Sequence, residues 1–265
     1  MSSSAKERQQ AERLSRRAER RIQERQAARR RRLLYMGSAV GIAIIIAVAL
    51  ILANRDGGGS SNVPPVKAAA VAIDPAIPRD GRVLGDPTAP VLLIEWGDYQ
   101  CPACGFAALN FTPRLIDEYV KTGKVRFEFR DFPFLDGAFA RAAQQGKDLT
   151  SAKGESIRAA EAAADQGKFW EFHEALFSNQ HGENQGAFSD ERLKEIAKSI
   201  GLDMEAFNAA FDGRAHIAEI VAMYEEATRI GISSTPSYVI NGKVFQVGSY
   251  DDLKQRIEAA LAGQS

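Results

Sequence analysis

Cysteine and histidine are both scarce in this chain. Its 265 residues include two cysteines, Cys101 and Cys104, and three histidines, His173, His181 and His216. A structural zinc site takes about four such ligands. With no second cysteine pair and no two histidines at ligand spacing, zinc is a poor explanation of the pair. A purely structural disulfide across Cys101-Pro102-Ala103-Cys104 is a poor explanation too, because the stabilisation from a cross-link grows with the length of loop it closes. The chain is also long enough to bury a core of its own. No cysteine lies near the N-terminal apolar segment described below, which rules out a lipid-modified cysteine there.

Net charge is also lacking, with 34 Lys/Arg against 34 Asp/Glu. That balance hides an asymmetry. Residues 1–32 carry 12 basic and 4 acidic residues, whereas residues 56–265 carry 21 and 30. Between them, LLYMGSAVGIAIIIAVALILA (33–53) has neither a charge nor a proline. As a helix rising about 1.5 Å per residue, it spans roughly the 30 Å of a hydrocarbon core. It has no polar face for a soluble helix to show to water. It is also longer than the apolar part of a cleaved signal peptide, about 7–15 residues, so an uncleaved single-pass anchor is expected. Arg29 to Arg32 abut it on one side, and the positive-inside bias places residues 1–32 in the cytoplasm and residues 54–265 outside the cell membrane. That compartment lets disulfides persist. The basic tail has only Leu14 and Ile22 as large apolar residues. It reads as a topology determinant rather than a nucleic-acid partner.

Residues 54–80 begin as a linker (GGGSS, then a proline pair), and Val66 to Ile73 is apolar enough for an edge strand. APVLLIEWGD (89–98) reads as a buried strand. A helix follows, with Phe106, Leu109, Phe111, Leu115, Ile116 and Val120 at helical spacing, Pro113 kinking it and Gly123 ending it. VRFEFRDF (125–132) alternates like a half-buried strand. Residues 137–230 are helical in pattern, with a junction near Gly167, caps at Ser189 and Asp203 and a stop at Gly201. In the last of these helices Ile217, Ile220, Val221, Tyr224, Ala227 and Ile230 share a face. SYVI and KVFQV flank Asn241-Gly242, a hairpin signal. A helix capped by Asp251 or a neighbour closes the chain. The order β-α-β, helical block, β-β-α predicts an α/β domain over 81–265, with parallel first strands and a helical subdomain inserted at 137–230.

The cysteines fall where the first strand gives way to its helix. There the sulfur of Cys101 can meet the unpaired N–H groups and positive end of the helix, which stabilises a thiolate, the reactive form. Pro102 suits the first helical position. Cys104, one turn in, is expected to be buried, with Cys101 the exposed, attacked sulfur. Glu95 is a carboxylate inside an apolar strand, which is costly without a role. It either faces a polar edge or carries protons for Cys104, and Arg130 is a candidate charge partner. Asp98 reads as a turn residue and Trp96 as core. Pro236 either starts a strand or forms a cis bond with Thr235. A cis bond would turn a strand edge toward the cysteines, and a peptide substrate could pair beside Thr235.

The stretches GDPTAPVLLIEWGDYQCPAC, AADQGKFWEFHEALF and GISSTPSYVINGKVF resemble the DsbA-like disulfide oxidoreductases, especially the membrane-anchored bacterial kind. The likeness runs over roughly residues 80–262. It implies a thioredoxin-like fold with an inserted helical subdomain and no bound cofactor. It further implies Cys101 as nucleophile, Cys104 as its partner, Pro236 as a cis-proline, Glu95 as the buried acid and a quinone-linked membrane protein as recycling partner. The chain departs from the family pattern in two ways. Ala103 replaces the histidine of the strongly oxidising members, and the segment 146–156 is long. The expected function is a membrane-tethered enzyme that introduces disulfides into exported proteins. An extracytoplasmic reductase or isomerase is the alternative, and a non-enzymatic peptide-binding or chaperone module is a third reading. Ala103 leaves the direction of electron flow open.

Overall fold

The computed structural model describes residues 64–67, 73–135, 139, 142, 145, 148, 149 and 154–263. The basic tail, the expected anchor at 33–53, the glycine-rich linker and most of the segment 146–156 lie outside the described residues. Among the described residues no helix is long and apolar enough to cross a membrane.

Among the described residues six strands form one sheet: β1 (Arg79–Asp80), β2 (Val83–Leu84), β3 (Val91–Gly97), β4 (Val125–Asp131), β5 (Ser237–Ile240) and β6 (Lys243–Phe245), in the order β1-β2-β4-β3-β5-β6. Only β3 and β4 run parallel, as a strand-helix-strand unit requires. The connecting helix is broken in two, α1 (Pro102–Asn110) and α2 (Thr112–Leu115), with a π-helical turn at Ile116–Val120. The break falls at Phe111, just before Pro113, whose missing N–H cannot continue the ladder.

The other described helices are α3 (Glu155–Ala164), α4 (Phe169–Ser178), α5 (Asp190–Ser199), α6 (Met204–Asp212), α7 (Ile217–Arg229) and α8 (Tyr250–Leu261). Helices α3 to α7 lie between β4 and β5, the inserted subdomain the sequence predicts. The caps at Ser189 and Asp203 are in place, each side chain accepting from N–H groups in the first turn of its helix. On α8 the cap is Ser249, whose hydroxyl accepts from the Asp252 N–H at 3.2 Å. Asn241 and Gly242 both have positive φ, 51° and 76°, as a two-residue hairpin turn demands.

Two apolar patterns settle differently from expectation. Val66 and Ile73 touch the core without forming a strand, and 68–72 lie outside the described residues. The edge is taken by the β1–β2 pair instead. Lys67 is held by a side chain: its N–H donates to Asn179 Oδ1 at 2.8 Å, and its carbonyl accepts from Asn179 Nδ2 at 2.9 Å. On α1, Phe106 and Leu109 are 59% and 42% exposed. The face that packs carries Cys104, Gly105 and Ala107 instead, because the α4 side approaches too closely for large residues (the Gln180 side chain overlies Gly105).

The apolar face of β4 carries Val125, Phe127 and Phe129, and the alternation ends on an acid, Asp131, fully buried. The Phe127 ring packs tilted against Trp170 at 5.5 Å and Phe129 packs edge-on to His173 at 4.4 Å between ring centres, joining the sheet to α4. Arg82, between β1 and β2, answers the buried acids. It pairs with Glu161 of α3, with Glu219 of α7 at 3.2 Å, and reaches Asp131 at 3.7 Å. The Asp131 carboxyl oxygens have no hydrogen-bond partner, and burial holds the carboxyl well above the usual range, with Arg82 opposing. One guanidinium therefore compensates two buried acids from different parts of the fold. Arg82→Ala is expected to lower unfolding free energy by about 3–5 kcal/mol, the cost of stranding buried charge. Urea unfolding followed by tryptophan fluorescence would measure it, and a loss under 1 kcal/mol would show that the network is not stabilising.

Candidate active site

β3 ends at Gly97 and the chain turns at Asp98. The Asp98 carboxylate accepts from Gln100 N–H at 2.8 Å and Leu135 N–H at 2.9 Å, and its carbonyl accepts from Cys101 N–H at 2.9 Å. Asp98 is thus the turn residue the sequence suggests, and Trp96 is core. The turn leaves Cys101 extended (φ −75°, ψ 118°) as the N-cap of α1, with Pro102 next. The Cys104 N–H donates to the Cys101 sulfur at 3.4 Å.

Strand pairing brings in the second element. β5 runs antiparallel to β3 with Trp96 opposite Ser237, so the residues just before β5 lie beside the turn just after β3. The Thr235-Pro236 bond is cis, and the Cys101 thiol donates to the Thr235 carbonyl at 3.5 Å. Thr235 and the two cysteines, 131 positions or more apart in the chain, therefore share one site. Both cysteines are free thiols.

Cys104 is wholly buried, as expected. Cys101 is not the open sulfur the sequence suggests. It is the more accessible of the pair, yet only 6% exposed, because the Thr235 loop covers one side and Gln180 the backbone on the other. Their acidities diverge. Cys101 is held down to about 6, first by the Cys104 thiol donating to its sulfur and then, against burial, by groups that include the Cys104 and Ala103 N–H groups. Burial pushes Cys104 far upward, and its donation to Cys101 pushes the same way.

Glu95 is 3% exposed, which removes the polar-edge alternative. It lies opposite Phe129 on β4 and Tyr238 on β5. Burial raises its pKa to about 8, with the Tyr238 hydroxyl working the other way and the charge of Cys101 adding to the rise. The expectation of an Arg130 partner fails. In a sheet, residues directly opposite share a face, and Arg130 is opposite Trp96, not Glu95. It bonds Glu128 at 2.6 Å and Glu226 at 2.7 Å and lies over the Trp96 ring. Tyr238, a neighbour that sequence reasoning missed, is legible once SYVI is paired against LLIEW in register. Asp131 was also legible, as the next inward position of β4. His173 contributes no acid or base, since burial among aromatic rings lowers its pKa to about 3. Among the described residues, Glu161, His216 and Glu219 could bring three ligand atoms together, but Arg82 already pairs with both of those acids.

A profile of the thioredoxin family matches residues 79–259. The chain belongs to the thioredoxin family. A probable disulfide bond formation protein D of Bacillus anthracis is 29% identical over 180 residues, covering 67% of this chain and 77% of that one. The oxidised BdbD structure from Bacillus subtilis superposes with a TM-score of 0.58 at 28% identity, covering 69% of this chain and 94% of that one. A Mycobacterium Na(+)/H(+) antiporter NhaA 1 is 33% identical over 187 residues, but the match is 68% of this chain and only 26% of that much longer protein. The DsbA-like resemblance and the α/β thioredoxin-like fold therefore hold. This thioredoxin-family chain is a thiol–disulfide oxidoreductase.

The raised pKa of Glu95 has a signed consequence. A folded value of about 8 against an ordinary 4.5 means that the native state binds the extra proton between those two pH values. Stability is then full below pH 4.5 and is lost as pH rises through 8. Glu95→Gln keeps the shape without the charge. Its stability should match wild type at pH 4.5 and exceed it by roughly 3–5 kcal/mol near pH 8. A gap in urea unfolding that does not change with pH would show that Glu95 is not held neutral.

Proposed function

We propose that this protein is a membrane-tethered disulfide oxidase that acts on exported proteins through Cys101 and Cys104. The observation that carries the proposal is the Cys101 sulfur at the start of α1, 3.4 Å from the Cys104 N–H and beside the Thr235 carbonyl. Tethering rests on the uncharged run at 33–53 and its arginine flank.

In the oxidised enzyme, a substrate thiolate attacks the Cys101 sulfur. The Cys101–Cys104 bond breaks, and Cys104 leaves with the electron pair, taking a proton. Glu95 is the proton carrier in this reading. A second substrate thiolate then attacks the substrate sulfur of the mixed disulfide and expels Cys101 as a thiolate. The substrate has lost two electrons and two protons, and the enzyme holds the electrons as a thiolate and a thiol. Thr235 offers its backbone to the substrate chain beside Pro236, Pro102 starts the helix, and Ala103 leaves the nucleophile without a neighbouring imidazole. The chain has no third cysteine to pass electrons onward, so a membrane redox partner, quinone-linked by family resemblance, must reoxidise the pair.

Equilibration of the purified protein with glutathione at fixed ratios tests the direction. A potential above about −150 mV is expected, and one near about −270 mV would make the protein a reductase or isomerase instead. Cys101→Ala should abolish disulfide transfer to a reduced substrate. If transfer survives, the nucleophile is misassigned, and if neither wild type nor variant transfers disulfides, a non-enzymatic binding role gains ground. Cys104→Ser should accumulate mixed disulfides at Cys101.

A further inference from the structure

Gln180 lies just past the end of α4, in the helical insertion, yet its side chain reaches into the turn that presents Cys101. Its Nε2 donates to the Tyr99 carbonyl at 2.7 Å and to the Cys101 carbonyl at 2.9 Å. Two carbonyl partners fix the orientation of the amide, since only its nitrogen can donate. Its oxygen then lies over the Gly105 Cα, where a Cβ would fall 2.2 Å from Oε1. A Cβ at position 105 would therefore displace the Gln180 amide from where it lies. The Cys101 carbonyl also accepts the Gly105 N–H at 3.0 Å, the first hydrogen bond of α1. A second tie lies alongside, where the Asn184 N–H donates to Gln100 Oε1 at 2.7 Å.

We infer that Gln180 is a positioning residue through which the helical insertion sets the reactivity of Cys101. It grips the carbonyls on either side of Gln100 and so fixes the rotation of the extended Cys101 residue. That rotation aims the sulfur at the Cys104 N–H. The partial positive charge of the amide hydrogens also lies on the Cys101 backbone and favours a thiolate. Without this clamp two carbonyls lose a donor, the 98–101 turn relaxes, and the thiolate loses alignment with the start of α1. The inference rests on Cys101 being the thiolate of the proposed function, but not on the direction of electron flow.

The test uses the reduced protein and the thiolate absorbance near 240 nm, which reports Cys101 because Cys104 stays protonated. Gln180→Met keeps the bulk over Gly105 and removes both donors. It should raise the titration midpoint by about 0.5–1 pH unit. It should also move the glutathione equilibrium by about 3- to 10-fold toward the disulfide, because the reduced form has lost stabilisation. Gly105→Ala displaces the amide from the other side and should reproduce the shift. On the Gln180→Met background Gly105→Ala should shift the midpoint little further, since no amide donors remain to be displaced from the two carbonyls. A wild-type midpoint in Gln180→Met, or equal effects of Gly105→Ala on both backgrounds, would overturn the role of Gln180. If wild type itself shows no thiolate midpoint below pH 8, the assignment of Cys101 falls, and this inference with it. Gly105→Ala provides an independent reading should Gln180→Met fold poorly.

Discussion

The contact between the Cys104 N–H and the Cys101 sulfur sets the terms for everything else in this molecule. It places a sulfur at the positive end of α1, where the first N–H groups have no helical partner. The same geometry makes the two cysteines unequal. Cys101 gains the Cys104 and Ala103 N–H groups at the helix start, whereas Cys104 lies one turn in, at no exposure, where burial outweighs the Thr235 side chain that would favour its charge. A dithiol in which one sulfur ionises near pH 6 and the other scarcely at all is polarised before any substrate arrives. The fold supplies the polarity, so no added cation is needed beside the sulfur.

Three remote parts of the chain hold that geometry. The β3–β5 pairing brings Thr235 to the sulfur. The inserted helices bring Gln180 to the backbone of the turn. The Asp98 turn is tied to Leu135 past the end of β4. Between the sheet and the insertion lies the Arg82 network, in which Asp131 and Glu161 share one guanidinium. Burying such groups costs solvation that hydrophobic packing would not. The benefit consistent with that cost is registry. A charge that must meet partners on β4, α3 and α7 at once allows the insertion few positions on the sheet, and Gln180 works only if the insertion is correctly placed.

Local features of this arrangement were legible in the sequence, and long-range ones mostly were not. Ser189, Asp203, Asn241-Gly242 and Pro113 act through hydrogen bonds within a few residues, so their meaning travels with the sequence. The alternation in VRFEFRD was legible for the same reason. Arg130 was misread because charge and proximity in sequence suggested Glu95, while the strand register places it on the other face. Phe106 and Leu109 keep helical spacing but stay exposed, because the side of α1 that packs was chosen by small residues. Cys101 is covered by a loop 134 positions away, and no local pattern announces that. Gln180 gave no signal at all, since a glutamine after a helix is ordinary until its partners are known.

The asymmetry of the two sulfurs also bears on direction, where Ala103 is silent. In oxidation the last step expels Cys101, and a thiol of low pKa leaves fast. The first step expels Cys104, whose charge is costly, but Glu95 with a pKa near 8 lies close enough to influence Cys104 and can supply a proton at neutral pH. In reduction the roles turn against the protein. Cys104 would have to lose its proton within an apolar pocket and attack as a thiolate, and its high pKa keeps that population very small. In the proposed oxidase reading, an easily expelled outer sulfur favours release of oxidised substrate, and a reluctant inner one disfavours resolution of the mixed disulfide. On the oxidase reading proposed above, the same two pKa shifts that make Cys101 reactive would serve that direction without the histidine that the family resemblance places in strongly oxidising members at the position of Ala103.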